Sequence, residues 1–267
     1  MPTKLDEIVE HKRTEVAELR RSRSLESLRA DAETSEFPVR DFANSLRQHR
    51  TLGSTLAVIA EIKRASPSAG TIATGIVPSD VATTYAAAGA ACISILTDER
   101  YFGGDNDSLT SVRRLDLGPP LLRKDFLIDE AQVYEARAIG ADAVLLIAEC
   151  LPGESLAELH TLTRSLGMHA LVELYDEANL DRVLALNPVI VGVNNRDLRT
   201  FEVSIEHSRR LRALVPSEVL FVSESGLKTA SDTRPLVDSH IDAILVGETL
   251  MKANDVAASL RELSHRD

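Results

Sequence analysis

Short apolar runs recur along this chain at near-regular intervals: "LAVIAEIK" at 56–63, "ACISILT" at 91–97, "PLLRK" at 120–124, "DAVLLIA" at 142–148, "HALVEL" at 169–174, "VIVGVN" at 189–194, "EVLFVS" at 218–223 and "DAILVG" at 242–247. Each is of strand length, and near-continuous apolarity is what a strand buried on both faces requires. Between them lie amphipathic stretches long enough for helices, among them "PSDVATTYAAAGA", "DEAQVYEARAIGA", "PGESLAELHTLTRSLG", "DEANLDRVLAL" and "SIEHSRRLRALV". Several open on Ser or Asp at a capping position, and Gly89, Gly140 and Gly167 stand where helices would end. Strands alternating with helices imply parallel strands joined by helical crossovers. Eight such units close into a (β/α)8 barrel, of class α/β.

The first 50 residues break this rhythm. They are helical in pattern and densely charged, with "LDEIVEHKRTEVAELRRSR", "SLESLRADA" and "VRDFANSLRQ" in succession before the first strand. They predict an N-terminal helical extension over residues 1–50, packed on a catalytic barrel over residues 51–267. An interaction arm is the other use for such helices, but an amphipathic face more often packs on its own domain.

Composition narrows the function. With 267 residues, 44% of them apolar, the chain can bury one large core. A formal charge of −11 argues against nucleic acid or an anionic membrane as partner. Apolar runs such as "AVLLIA" fall far short of a membrane span, and the N-terminus has no signal-peptide core, so a cytoplasmic location is expected. Cys92 and Cys150 lack CxxC spacing and read as core thiols. The histidines at 11, 49, 160, 169, 207, 240 and 265 are scattered, and no HExxH, Walker or GxGxxG motif occurs, so neither metal nor cofactor is expected.

The chemistry of such a barrel sits where strands end and βα loops begin. Glu61 and Lys63 end the first strand two residues apart, so they share a face while Ile62 looks the other way. Lys124 ends the third strand as a lone cation with no sequence partner that would make it structural. Glu173, Asn194, Arg196, Ser225 and Gly226 occupy the corresponding places further on. One ion pair could be structural. Two lysines, two glutamates and an asparagine converging on one mouth point to function, because burying each ion is costly and returns little stability. The loops after strands 7 and 8, "SESGLKTASD" and "VGETLMKAND", place Gly226 and Gly247 just before helical sequence, where backbone N–H groups can face a phosphate. Glu248 follows Gly247 directly. Its carboxylate must turn away from such an anion, to solvent or to Lys252, leaving the N–H groups around Gly226, Gly247 and Glu248 to bind it.

"AEIKRASPSAG", "SILTDERYFGG", "LLRKDFLID", "LVELYDE", "VGVNNRDLRTFEV", "SESGL" and "ILVGETLM" together resemble the successive motifs of the indole-3-glycerol phosphate synthase family, in order and spacing from about residue 56 to 252. The helical N-terminal extension is similar too. The resemblance implies a carboxy-lyase of L-tryptophan biosynthesis. It would close 1-(2-carboxyphenylamino)-1-deoxyribulose 5-phosphate to indole-3-glycerol phosphate, with release of CO2 and water. It implies a phosphorylated small-molecule substrate, no cofactor, and a monomer or weak homo-oligomer. Among the residues it implies Lys124 as the acid on the carbonyl, and Lys63 as ligand of the substrate carboxylate or phosphate and a second acid. Glu61 and Glu173 would share the roles of stabilising anion and base, and Asn194 would bond the departing hydroxyl. Ser66, Phe126, Leu145, Arg196 and Ser225 would shape the pocket, Phe126 and Leu145 as apolar walls. One departure is visible: the family's Gly-Ser after strand 8 is Gly247-Glu248 here. Phosphoribosylanthranilate isomerase shares the barrel and phosphate loops but would end the first strand with a cysteine acid, where this chain has Glu61-Ile62-Lys63. A non-catalytic sugar-phosphate-binding barrel would have no need of Lys124, Glu61 and Glu173.

Overall fold

The computed structural model describes residues 3–51, 56–67, 70–72, 75–197 and 202–265. The eight apolar runs are parallel strands: β1 (Ala57–Ile62), β2 (Cys92–Leu96), β3 (Leu121–Lys124), β4 (Ala143–Ile147), β5 (His169–Leu174), β6 (Ile190–Asn194), β7 (Leu220–Glu224) and β8 (Ala243–Val246). Neighbours are hydrogen-bonded in the order β1-β8-β7-β6-β5-β4-β3-β2, and β1 pairs with β2 to close the barrel, leaving no edge among them. The strand residues are almost all buried, with the interior on one side and helices on the other. A two-stranded ribbon, Ala65–Ser66 against Gly70–Thr71, follows β1.

Before the barrel come α1 (Lys4–Ser22), α2 (Leu25–Glu33) and α3 (Phe42–Thr51). Around it lie α4 (Pro78–Ala87), α5 (Glu99–Phe102), α6 (Asn106–Arg114), α7 (Glu130–Ala138), α8 (Ser155–Ser165), α9 (Leu180–Leu184), α10 (Ile205–Arg212), α11 (Ala230–Asp238), α12 (Glu248–Met251) and α13 (Val256–Ser264). The expected end signals hold unevenly. Asp129 forms a capping box on α7, and Gly89, Gly140 and Gly167 all take left-handed φ. Ser204, at the start of α10, makes no capping bond, and α4 begins instead on Pro78.

The N-terminal helices run from one end of the barrel to the other. Phe42 and Leu46 of α3 are fully buried beneath β1, and Ser45 Oγ donates to the carbonyl of Ala91 at 2.7 Å, just before β2 begins. Leu28 and Ala32 of α2 pack with Ala131 and Tyr134 of α7. Along α1, Arg20 Nε donates to Asp129 Oδ1 at 2.9 Å. Deeper in, Lys12 is only 2% exposed and its Nζ lies 3.0 Å from Asp98 Oδ2, 2.9 Å from Asp125 Oδ1 and 2.6 Å from Glu15 Oε2. Burial alone would lower its pKa, but Asp125, Asp98 and Glu15 overcome that and raise it. Asp98 caps α5 by accepting from the N–H of Tyr101, and Asp125 follows β3 directly. One buried ammonium therefore ties the first helix to two βα loops.

Both cysteines are free and buried. Among the described residues no helix is long and apolar enough to cross a membrane, and no group of three or more His, Cys, Asp or Glu could hold a metal ion.

Replacing Lys12 by Met leaves buried Asp98 without its ammonium, while Asp125 keeps Arg123 and Thr97. Removing one partner of a buried pair costs about 3–5 kcal/mol, so urea unfolding of Lys12→Met should show a loss of that order. A change below about 1 kcal/mol, the usual range of an exposed pair, would mean that the cluster does not fasten the helix.

Candidate active site

Strand register gathers the polar residues into one ring. Leu96 of β2 pairs with Lys124 of β3, Ile147 of β4 with Glu173 of β5, Glu173 with Gly192 of β6, Asn194 with Glu224 of β7, and Glu224 with Leu245 of β8. Partners in a parallel ladder project to the same side, so these residues form a layer inside the barrel at its C-terminal end. Ile59 of β1 pairs with Leu245, which brings Glu61, two residues on, level with Gly247. Above this ring opens a cavity of about 500 Å3, a volume suited to a small ligand.

Its walls include Glu61, Lys63, Lys124, Phe126, Leu145, Glu173, Asn194, Arg196, Ser225, Gly226, Gly247 and Glu248. Every site residue expected from the sequence is thus brought together except Ser66, whose side chain lies outside the described residues. The cavity also takes in residues that the sequence reading passed over: Glu224 and Phe102, Lys228, and Lys4, Leu5 and Ile8 from α1.

Lys124 is the centre of charge, and the expectation of a lone cation needs correcting. Its Nζ donates to Glu173 Oε2 at 3.1 Å and to Glu224 Oε2, while the side chain remains 12% exposed toward the cavity. Burial works to lower its pKa, but Glu224, Glu173 and Glu61 more than offset that and raise it, so Lys124 stays charged in the free protein. Glu224 shows the opposite balance. Burial and the nearby Glu173 outweigh the attraction of Lys124, and its pKa is pushed up to about 8. Its Oε1 is buried and accepts no hydrogen bond among the described residues. Asn194 is oriented at both ends: Nδ2 donates to Glu173 Oε1 at 3.3 Å, and Oδ1 accepts from the N–H of Arg196 at 3.0 Å.

The apolar run of strand 7 ends at Ser223, which leaves Glu224 outside it in the sequence. The strand runs one residue further, and the alternation that turns Val222 inward also turns Glu224 inward. A carboxylate at a strand end was the signal already used for Glu61 and Glu173.

Lys63 lies across the mouth, with Nζ 3.2 Å from Glu61 Oε1 and 5.6 Å from the centroid of the Phe102 ring. Phe102 and Phe126 face each other with ring centres 6.0 Å apart, and Leu145, Leu96, Leu5 and Ile8 extend this apolar side. At the opposite side Gly226 (φ +82) follows Ser225, itself left-handed at φ +72, a strained conformation for a residue with a side chain. A buried polar cluster steadies this turn. Asn195 Nδ2 donates to the carbonyl of Ser225 at 3.1 Å and to Ser223 Oγ at 2.9 Å, and Asn195 Oδ1 accepts from Ser208 Oγ at 2.7 Å.

Gly247 precedes α12, and its bare Cα faces Glu61. A Cβ there would collide with Glu61 Oε1 and come within 3.1 Å of Glu61 Cδ. The glycine makes room for a carboxylate of the ring, whatever the neighbouring N–H groups bind. Glu248 turns outward as expected: Lys252 Nζ donates to its Oε1 at 2.7 Å, and this bond, joined by the charges of Lys252, Lys63 and Arg196, lowers the Glu248 pKa.

The chain is similar to proteins of one named family. A family profile described as "Indole-3-glycerol phosphate synthase" matches residues 5–263. The chain is 48% identical over 263 residues to the indole-3-glycerol phosphate synthase of Paracidovorax citrulli, covering 97% of this chain and 98% of the relative. It is 47% identical to that of Roseiflexus castenholzii, with both chains covered in full. Among solved structures, thiamine phosphate pyrophosphorylase from Pyrococcus furiosus superposes with a TM-score of 0.56 at 17% identity over 79% of this chain and 95% of that one. That likeness speaks for the barrel alone.

The proton on Glu224 has a measurable signature. Between its ordinary value of 4.5 and about 8, the folded protein holds a proton that the unfolded chain has released. The stability this group contributes is therefore complete below 4.5 and is lost as pH rises through about 8. Glu224→Gln keeps a neutral side chain at every pH. Urea unfolding at about pH 6 and about pH 9 should show the variant gaining stability relative to the parent as pH rises. A constant difference would place the Glu224 titration elsewhere.

Proposed function

Because this chain belongs to the indole-3-glycerol phosphate synthase family, we propose that it closes the indole ring of 1-(2-carboxyphenylamino)-1-deoxyribulose 5-phosphate, releasing CO2 and water, in L-tryptophan biosynthesis. On the same reading it is a carboxy-lyase acting in the cytoplasm on a soluble phosphorylated substrate. The observation that carries the assignment of roles is a charged Lys124, backed by two glutamates, at the floor of a cavity with an apolar side and a glycine-rich turn.

Ring closure joins the ring carbon bearing the carboxylate to the ketone carbon of the sugar chain. The carbonyl oxygen gains negative charge as this bond forms, and an ammonium there both stabilises that charge and supplies the proton. Lys124 takes this role, and its hydrogen bonds to Glu173 and Glu224 support it by fixing Nζ. The neutral Glu224 carboxyl beside it is a store from which the proton can be replaced. Loss of CO2 restores the aromatic ring. Lys63, between Glu61 and the Phe102 ring, binds the departing carboxylate and acts as a second acid. Dehydration then protonates the new hydroxyl, which leaves as water with help from the ring nitrogen's lone pair, and the methylene carbon beside that nitrogen gives up a proton to form the indole double bond. Glu61 and Glu173 share the roles of base and stabilising anion, and Asn194, already bonded to Glu173, has a second amide hydrogen for the departing hydroxyl. Phe126, Leu145 and Phe102 hold the aromatic ring, and Ser66, Arg196 and Ser225 complete the substrate contacts. Phosphate binds to N–H groups around Gly226, Gly247 and Glu248.

Incubated with the carboxyphenylamino-deoxyribulose phosphate, the protein should give an indole fluorescence signal; silence at high enzyme concentration would remove the assignment. General acid catalysis contributes ~10²–10⁴-fold. Lys124→Ala should lose turnover in that range with little change in KM, and turnover within about tenfold of the parent, below that span, would show that another group is the acid. At the phosphate end, Glu248→Gln removes a carboxylate but keeps the N–H groups. Its KM should equal or fall below that of the parent, and a rise of about tenfold, worth ~1.4 kcal/mol, would mean that the carboxylate itself organises the site.

A further inference from the structure

Gly192 lies in the middle of β6, where a missing side chain ordinarily weakens a strand. Its conformation does not demand glycine, since it is absent from the positive-φ glycines. Space does. A Cβ built on Gly192 would meet Glu224 Oε1 well inside van der Waals contact, and Leu171 Cδ1 at 3.1 Å. The same Glu224 accepts from Lys124 through Oε2, so the carboxyl group is wedged between a bare Cα on one side and the ammonium on the other. The first lysine of the mouth has a parallel arrangement: Lys63 is held at 3.2 Å by Glu61, whose Oε1 rests against Gly247 of the neighbouring chain segment. In each case a lysine is fixed by a glutamate, and the glutamate by a glycine on, or just past, the neighbouring strand.

We propose that Gly192 is a positioning residue for Lys124: by carrying no side chain it seats Glu224, and through Glu224 it sets where the Lys124 ammonium stands. The consequence for turnover rests on the role given to Lys124 above; the seat itself does not. Ordinary contact begins at 3.4 Å, so a methyl group at 192 must drive the carboxylate back by roughly 1 Å, and a misplacement of that size can cost ~10²-fold in rate.

The test is a double-mutant cycle with Gly192→Ala in the parent and in Glu224→Ala. In the parent, Gly192→Ala should lower kcat by ~10²-fold with KM nearly unchanged, because the phosphate end is untouched, and should lower the melting midpoint. In Glu224→Ala, where the clashing oxygen is gone, the same substitution should change neither kcat nor the midpoint appreciably. Equal losses in both backgrounds would overturn the proposal and assign the effect to Leu171, as would near-parental kcat in Gly192→Ala. Should Gly192→Ala fail to fold, folding restored by Glu224→Ala supports the seat, and failure in both backgrounds overturns it. Where Glu224→Ala turns over too slowly to compare, the melting midpoints decide. A midpoint coupling without any kcat coupling would leave the seat standing and overturn its link to Lys124, so the two claims fail separately.

Discussion

Charge compensation inside the barrel mouth is the constraint on which the rest of this structure depends. Glu61, Glu173 and Glu224 are each no more than 4% exposed, and they share one layer with Lys124 and, just above it, Lys63. An isolated ion in such a place is expensive, and even a good pair gives little net stability. The arrangement holds because every member has a counter-charge or a proton. Lys124 answers Glu173 and Glu224 directly, and burial beside Glu173 raises the pKa of Glu224 so that it holds its proton more tightly. The same crowding that makes the layer costly also raises one carboxyl into the range where it can exchange protons, which links the energetics of the fold to its chemistry.

A second buried ammonium extends this logic outward. Lys12 does for the loops after β2 and β3 what Lys124 does for the ring, pairing with Asp98 and Asp125 beyond the reach of solvent. Those aspartates sit next to residues of the pocket: Asp98 caps the short helix that ends in Phe102, and Asp125 lies between Lys124 and Phe126. The apolar side of the cavity is thus hung from a helix that precedes the barrel in sequence.

Much of this could be read from the chain alone. The eight strands follow from runs of buried residues, and Glu61, Lys63, Lys124, Glu173 and Asn194 from charge or amide groups at their ends. What escaped were features that depend on distant partners. Lys12 sits in a helix so densely charged that its sequence gives no sign that one lysine is turned inward, since the two aspartates that hold it come from loops far along the chain. Glu224 was hidden by a boundary one residue short. Gly247 stands before a helix, a sound local reason for a glycine, yet its bare Cα also answers Glu61 from the other end of the chain. Local pattern specified the elements; register decided which side chains would meet.

That last contact carries a consequence for the order of events during synthesis. β1 finds one of its two neighbours, β2, early in translation, but the other is β8, the last strand of the barrel to be made. Until then the nascent chain exposes two unpaired strand edges, and Glu61 with Lys63 has no wall to lean on. Ring closure of the protein itself, the docking of β8 on β1, completes the hydrogen-bonded cylinder and encloses the buried charges of the mouth in one step. A nascent chain stalled before residue 243 would therefore be an open, sticky sheet, and chaperones or proteases have a structural mark by which to tell it from the finished molecule.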